Sequence, residues 1–413
     1  MKIGMISQWY EPETGAAAHP TAIARGLQAR GHQIRVLTGF PSYPQGRVYD
    51  GYRMRMRDLE MRDGIELLRV PDVPSHDQNA LRRALTLTSF AASATTQVGW
   101  LRGADVVLTY LSPATVGLAA WALHRLHSVP YVLYVQDLWP ETVTASGFLP
   151  GARLNDVAES VINVGLRGLY RRAAGTAALS PTMAGMLAER GTTVPPVSIP
   201  NWVDERVFAP TASPARSLSR ELPTDRTWLM YAGGMGDVQA LDHAVRAMAR
   251  LSARPDIGLV FVGDGVAKDR LERLAVELGA ADRVLFLGSR PMSAMPALMA
   301  EAAAQLVSLK DLPLFTGTIP SKIQAAMACG SPIVCAVAGD AADVVTDAGC
   351  GVAVPPEDDA RLAEAFQAVV DMGPDARRRL GDAGRRAYVE RYSAEAGTER
   401  LEQLLAQAAR GAR

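Results

Sequence analysis

Short β-branched or aromatic runs alternate with helix-patterned segments from one end of the chain to the other. That alternation restricts the fold to parallel sheets covered by helices on both faces. In the first half, strands are expected at residues 2–7, 33–40, 66–70, 106–110, 131–136, 175–179 and 197–200, with a helix over 21–29 that stops at Gly31. After a stretch containing Pro195, Pro196, Pro200, Pro210 and Pro214 the alternation restarts, with strands expected at 228–232, 258–262, 284–287, 305–309, 332–337 and 351–354. Helical patterns over 376–391 and 394–409 follow with no further strand. At roughly 100–200 residues per domain, 413 residues make two such domains and an appendage. The expected fold class is therefore α/β, two doubly wound Rossmann-like domains facing a cleft. An N-terminal domain spans 1–200, a C-terminal domain 201–390, and a terminal helical segment 391–413 is free to pack back on the N-terminal domain. In doubly wound sheets ligands bind beyond the carboxyl ends of the strands, so chemistry is sought in the loops that follow them.

Charge and composition remove several function classes. Lys plus Arg (43) balances Asp plus Glu (43), so no global field draws the molecule to nucleic acid or an anionic membrane, and an anionic ligand must be met by a local site. Only Lys2, Lys268, Lys310 and Lys322 are lysines. Three cysteines without metal-ligand spacing indicate a reduced, cytoplasmic protein. The start MKIGMIS lacks the features of a signal peptide, and no 18-residue uncharged apolar stretch occurs. The absence of Asp-x-Asp gives no reason to expect a metal, and the absence of G-x-S-x-G excludes the serine-hydrolase elbow.

Five loops carry chemistry-bearing residues. YAGGMG (231–236) follows a strand and precedes a helix, and its glycines, Gly234 and Gly236 among them, let backbone approach an anion; a tight connection is the alternative. In FTGTIPSKIQAAMACG (315–330), Thr318 or Ser321 is placed to cap a helix whose first turn holds Pro320. Lys322 then stands at the positive end of that helix, where a cation is unfavourable unless an anion joins it. VGDG (262–265) reads as an Asp-Gly turn. The long loop WYEPETGAAAHP (9–20) carries Glu13, Gly15 and His19, and reads either as a ligand loop or as an acidic surface loop. YVQDLWPET (134–142) puts Gln136, Asp137 and Glu141 beyond a strand apolar enough to be buried on both faces; Asp137 is placed to orient a hydroxyl, act as a base or cap the turn.

Taken in order, the segments 10–44, YVQDLWPET, ALSPTMAGML (178–187), IPNWVDERVF (199–208), YAGGMG, FVGDG (261–265), VLFLGS (284–289) and IPSKIQAAMACGSPIV (319–334) resemble the retaining nucleotide-sugar glycosyltransferases of the fourth family, which have the GT-B fold. Within it the chain is most similar to the branch of bacterial surface-polysaccharide N-acetyl-aminosugar transferases. The resemblance implies a metal-independent enzyme without cofactor. Its C-terminal domain would hold a nucleotide diphosphate sugar, usually a uridine one, through Gly234, Gly236, Thr318, Ser321 and Lys322, with Arg290 near the base. Its N-terminal domain would present the acceptor through Glu13, Gly15, His19, Gln136 and Glu141, with Asp137 and Lys322 as the catalytic pair.

The chain departs from that family at three points. Gly317 and Ala325 stand where many members have glutamates, Gln239 where many have a basic residue, and Gln136 where many have a histidine. The implied chemistry is front-face displacement, with the leaving diphosphate stabilised electrostatically. Competing readings are a natural-product glycosyltransferase with a soluble acceptor, a sugar-nucleotide epimerase, and a non-catalytic nucleotide-sugar-binding subunit. A lipid-linked acceptor would bring peripheral contact with the inner face of the membrane. Arg53, Arg55, Arg57 and Arg62 are interleaved with Asp58, Glu60 and Asp63, which in one dimension reads as a solvated mixed face.

Overall fold

The computed structural model describes residues 1–74, 80–139, 152–211 and 221–411. The chain divides into two compact units, Met1–Asn201 with Gly397–Arg413, and Trp202–Ala396.

The first unit is built on an eight-stranded sheet: β1 (Lys2–Ile6), β2 (Gln33–Gly39), β3 (Asp58–Arg62), β4 (Ile65–Val70), β5 (Val106–Leu111), β6 (Tyr131–Val135), β7 (Gly175–Ala178) and β8 (Val197–Ser198). Their order is β3-β4-β2-β1-β5-β6-β7-β8. Every pairing is parallel except β3 with β4. The central strands β5 and β6 are buried along their whole length, as their near-continuous apolar runs demand when helices cover both faces. Tyr131 ties β6 to the helix Ala152–Tyr170 by donating its hydroxyl to the Leu169 carbonyl at 2.7 Å.

The second unit carries β9 (Thr227–Ala232), β10 (Ile257–Val262), β11 (Val284–Phe286), β12 (Gln305–Ser308), β13 (Ile333–Ala336) and β14 (Gly351–Ala353), all parallel, in the order β11-β10-β9-β12-β13-β14.

The expected strands are all present, with ends moved by one or two residues. The structure adds β3, which sequence patterning does not reveal. Its DLEMR alternates charge with apolar side chains, and it pairs antiparallel at the sheet's edge, where one face stays wet.

The terminal helix Ala394–Gly411 docks on the first unit through residues 397–411. It does so by fit at one point and charge at another. Gly26 has no side chain, and a Cβ there would stand 2.6 Å from the Thr398 hydroxyl. Glu402 is bracketed by Arg30 at 2.6 Å and His32 at 2.7 Å. Leu401 and Leu405 are fully buried beside them. Leu401→Ala is therefore expected to destabilise the first unit by about 2–5 kcal/mol, the usual cost of a buried leucine cavity. Denaturant unfolding followed by a probe in that unit checks it; an unchanged midpoint would mean the helix is not part of the unit's core.

Candidate functional site

In each sheet the strand order reverses once, and there two adjacent strands send their following loops apart. In the second unit the reversal falls between β9 and β12. The loop after β9 is the glycine turn 233–236, and the connection after β12 leads to the helix Ser321–Cys329, so the two segments singled out from sequence meet at the switch point. A backbone bond from Lys310 N–H to the Val238 carbonyl, 2.9 Å, joins them.

Glycine makes this meeting possible. Gly233 has φ +135°, and a Cβ on it would lie 2.7 Å from Lys322 Cε. The loop after β10 presses on the same turn: Gly233 N–H donates to the Val262 carbonyl at 2.9 Å and Met235 N–H to the Asp264 carbonyl at 2.8 Å. A Cβ on Gly263 would fall 2.0 Å from the Gly233 carbonyl oxygen. VGDG is thus the buttress of the glycine turn. Tyr231 donates its hydroxyl to the Gly234 carbonyl at 2.6 Å, and Gln239 Oε1 accepts from Gly236 N–H at 2.8 Å. Gly234 itself is exposed, with open space where its side chain would be.

Lys322 lies against this turn with its ammonium 5.2 Å from the Tyr231 ring centroid. Among the described residues no carboxylate pairs with it and no acceptor takes its protons. Burial pulls its pKa below the ordinary lysine value, since nothing offsets the desolvation of the charge. The helix it begins has no side-chain cap. Neither Thr318 nor Ser321 fills that role: Pro320 occupies the N-cap position itself, one residue before the first turn where it was expected, and the Thr318 hydroxyl turns back to the Leu314 carbonyl at 3.3 Å. An uncapped helix start, an unpaired cation and a glycine turn form a site for an anion. Arg290 is engaged elsewhere, paired with Glu221 and donating to the Leu287 carbonyl.

The first unit has its own polar edge at the carboxyl ends of its strands. Gln8 lies two residues past β1, Asp72 two past β4, Ser112 one past β5, and Gln136 and Asp137 directly past β6. Ser112 donates to Asp137 at 2.8 Å; burial raises the Asp137 pKa and this bond moderates the rise. Gln136 Oε1 accepts from Tyr110 at 3.0 Å and from Asn201 at 2.7 Å. His19 stands at the start of the helix His19–Ala29, between the rings of Tyr110 and Tyr134, and burial lowers its pKa to about 3. Its imidazole is neutral at any physiological pH.

Glu13 is not a surface acid. It is 4% exposed, and its carboxylate accepts from the N–H groups of Tyr10, Ser42 and Tyr43 at 3.0, 2.8 and 2.8 Å, splicing the loop after β1 to the loop after β2. Gly15, at φ +68°, is exposed with open space around it. Glu141 falls outside the described residues.

Sequence reasoning missed Gln8, Asp72, Ser112 and Asn201. Their signal was position, each a polar residue just past a parallel strand. Asp72 is the most perturbed: 5% exposed, with only the Gln8 amide near it at 3.5 Å, its pKa is pushed by burial to about 7. Gly39 makes room between them, since a Cβ there would meet Asp72 Oδ2 at 3.3 Å.

A folded-state pKa above the ordinary 3.8 means that Asp72 supports folding at acid pH and that this support fades as pH rises from about 4 to 7. Asp72→Asn should remove up to about 4 kcal/mol of that pH dependence. Denaturant melts of both proteins at pH 4 and 8 check it, and parallel curves would mean that Asp72 keeps its ordinary pKa in the folded protein.

Comparison with known proteins gives the following. Residues 14–202 match the glycosyl transferase 4-like domain and residues 217–387 the group 1 glycosyl transferases. WcaI of Escherichia coli K12, named as a colanic acid biosynthesis glycosyl transferase, is 28% identical over 341 residues, 80% of this chain and 82% of that one. The D-inositol 3-phosphate glycosyltransferase of Acidothermus cellulolyticus is 26% identical over 376 residues, 87% of this chain and 78% of its own. Among solved structures, HepE of Anabaena in complex with UDP and glucose superposes with a TM-score of 0.68 over 98% of this chain and 99% of its own, at 17% identity.

Proposed function

From a chain whose residues 14–202 match the glycosyl transferase 4-like domain and whose residues 217–387 match the group 1 glycosyl transferases, we propose a retaining, metal-independent enzyme of cell-surface polysaccharide or glycoconjugate assembly. The reaction moves a hexose or N-acetyl-aminosugar from a UDP-sugar to an acceptor hydroxyl. The observation that carries this reading is Lys322. A cation held at an uncapped helix start, with its pKa pulled down and no protein anion beside it, is stabilised by a ligand that brings negative charge. A nucleotide diphosphate brings the right charge to a turn opened by Gly234. HepE, crystallised with UDP and glucose, supports uridine as the base, and the naming of WcaI for colanic acid supports a surface-polysaccharide acceptor.

In this reading Lys322 and the helix N-terminus stabilise the charge that develops on the β-phosphate as the glycosidic bond breaks. The acceptor hydroxyl attacks from the face the diphosphate leaves, and its proton passes to the departing oxygen, so no protein nucleophile is formed. Asp137, held by Ser112, and Gln136, held by Tyr110 and Asn201, orient the hydroxyl on the first unit's edge. His19 acts as a neutral ring in that edge and carries no charge to the reaction.

Lys322→Met keeps the bulk and removes the charge. It is expected to lower kcat on the order of 10²–10³-fold and to abolish the thermal stabilisation given by UDP, while the ligand-free protein melts no lower than wild type because an unpaired charge has been relieved. Near-normal turnover would sink the role. Asp137→Asn should slow transfer much more than it weakens UDP binding, measured by melting shift. Equal losses would make Asp137 a structural residue.

A further inference from the structure

An open depression of about 590 Å³ lies on the first unit and shares no lining residue with either polar edge. It is lined by Arg35 near the start of β2, Arg57 just before β3, Arg102 before β5, and Thr96, Gln97 and Trp100. No acidic residue lines it. Arg35 lies over the Trp100 ring at 5.6 Å. Among the described residues, Arg57 and Arg102 have no hydrogen-bonded or ion-paired side-chain partner. In a chain with no net charge, three arginines around one cavity are a local excess.

The nearby acids cancel only Arg35. Glu60 is taken by Arg62 and Arg69, Asp63 by Arg25, Glu66 by Arg35 at 2.9 Å, and Asp58 stands 3.7 Å from Arg55. The interleaved run that reads as a mixed face in one dimension is sorted in three, with the acids paired and, among the described residues, Arg53 and Arg57 left over.

The surface beside the cavity is apolar. Register puts Met61 on β3 opposite Glu66 on β4, and Glu66 opposite Arg35 on β2, so Met61 and Arg35 share one face of the sheet. Leu59 shares it two residues away. Met56, two residues before β3, is 73% exposed, and Leu59 and Met61, 60% and 63% exposed, lie on that edge strand, which has no further partner in the sheet.

We propose that this face docks on an anionic membrane, with the Arg35–Arg57–Arg102 cavity taking a phospholipid phosphate and Met56, Leu59 and Met61 entering the interface. Guanidinium groups match phosphate geometry in pairs, and flexible methionines and a half-buried indole suit the boundary between headgroups and acyl chains. Charge complementarity chooses the occupant. A protein partner of ordinary composition has no need of two unneutralised arginines beside an apolar stripe, whereas an anionic leaflet supplies phosphate and hydrocarbon together. The inference stands apart from the transfer reading, since it uses none of the same residues.

The test is co-sedimentation of the full chain with vesicles of phosphatidylcholine alone and of phosphatidylcholine with phosphatidylglycerol, at low and raised salt. Binding is expected only with phosphatidylglycerol and should weaken as salt rises. Arg57→Gln with Arg102→Gln should lose roughly fivefold per arginine, on the order of 25-fold together, with an unchanged melting temperature. Met56→Ser with Met61→Ser should weaken binding as well. No binding to phosphatidylglycerol vesicles, or binding that the arginine pair does not affect, overturns the proposal. Saturable binding of glycerol 1-phosphate without vesicle binding overturns it too, and makes the cavity a soluble-phosphate site.

Discussion

A parallel strand reaches its neighbour only through a crossover that lies on a face of the sheet, and these crossovers keep one hand. A sheet built this way grows outward from its first strand in one direction and must then return to that strand to grow in the other. The return happens once in each unit of this chain, between β1 and β5 and between β9 and β12. At the return, two neighbouring strands release their loops to opposite sides, and the backbone is left open beyond their carboxyl ends. The polar residues of both candidate sites sit around those openings because no other place in a doubly covered sheet leaves backbone and side chains uncovered.

In the second unit the opening is filled by glycine and a lysine. Three successive loops, after β9, β10 and β11, are laced by backbone bonds close enough that Gly233, Gly263 and Gly265 admit no side chain. The tightness leaves the space that Lys322 occupies. A half-buried ammonium without a counter-charge is an unfavourable arrangement. On the proposed reading an anionic ligand would relieve it, so the contact that costs stability would favour the ligand's arrival.

The first unit carries two unlike polar surfaces. At the carboxyl ends, neutral and desolvated groups dominate: His19 uncharged, Asp72 near neutrality in its titration, and Asp137 held by one serine. On a separate surface, three arginines surround an open cavity near exposed methionines. Low local charge suits the orientation of a hydroxyl, and high local charge suits attraction of phosphate from water.

Much of this was legible in the residues alone. Apolar runs of four to six residues between helical patterns determined the parallel strands, since a strand buried on both faces has to be apolar throughout, and YAGGMG and IPSKI marked two loops that meet at the second unit's switch point. Position along the chain, however, says nothing about which loops meet. Gln8 and Asp72 are far apart in sequence and adjacent only because β1, β2 and β4 lie side by side. Glu13 reads as a surface acid until three backbone donors from two loops close on it. The charge run 53–63 reads as self-cancelling until β3 turns alternate residues to opposite faces and pairs the acids away from Arg57. Local pattern is fixed by burial and backbone preference, which act over a few residues. Pairing of charges and convergence of loops depend on strand order and register, and those are settled only when the whole sheet has formed.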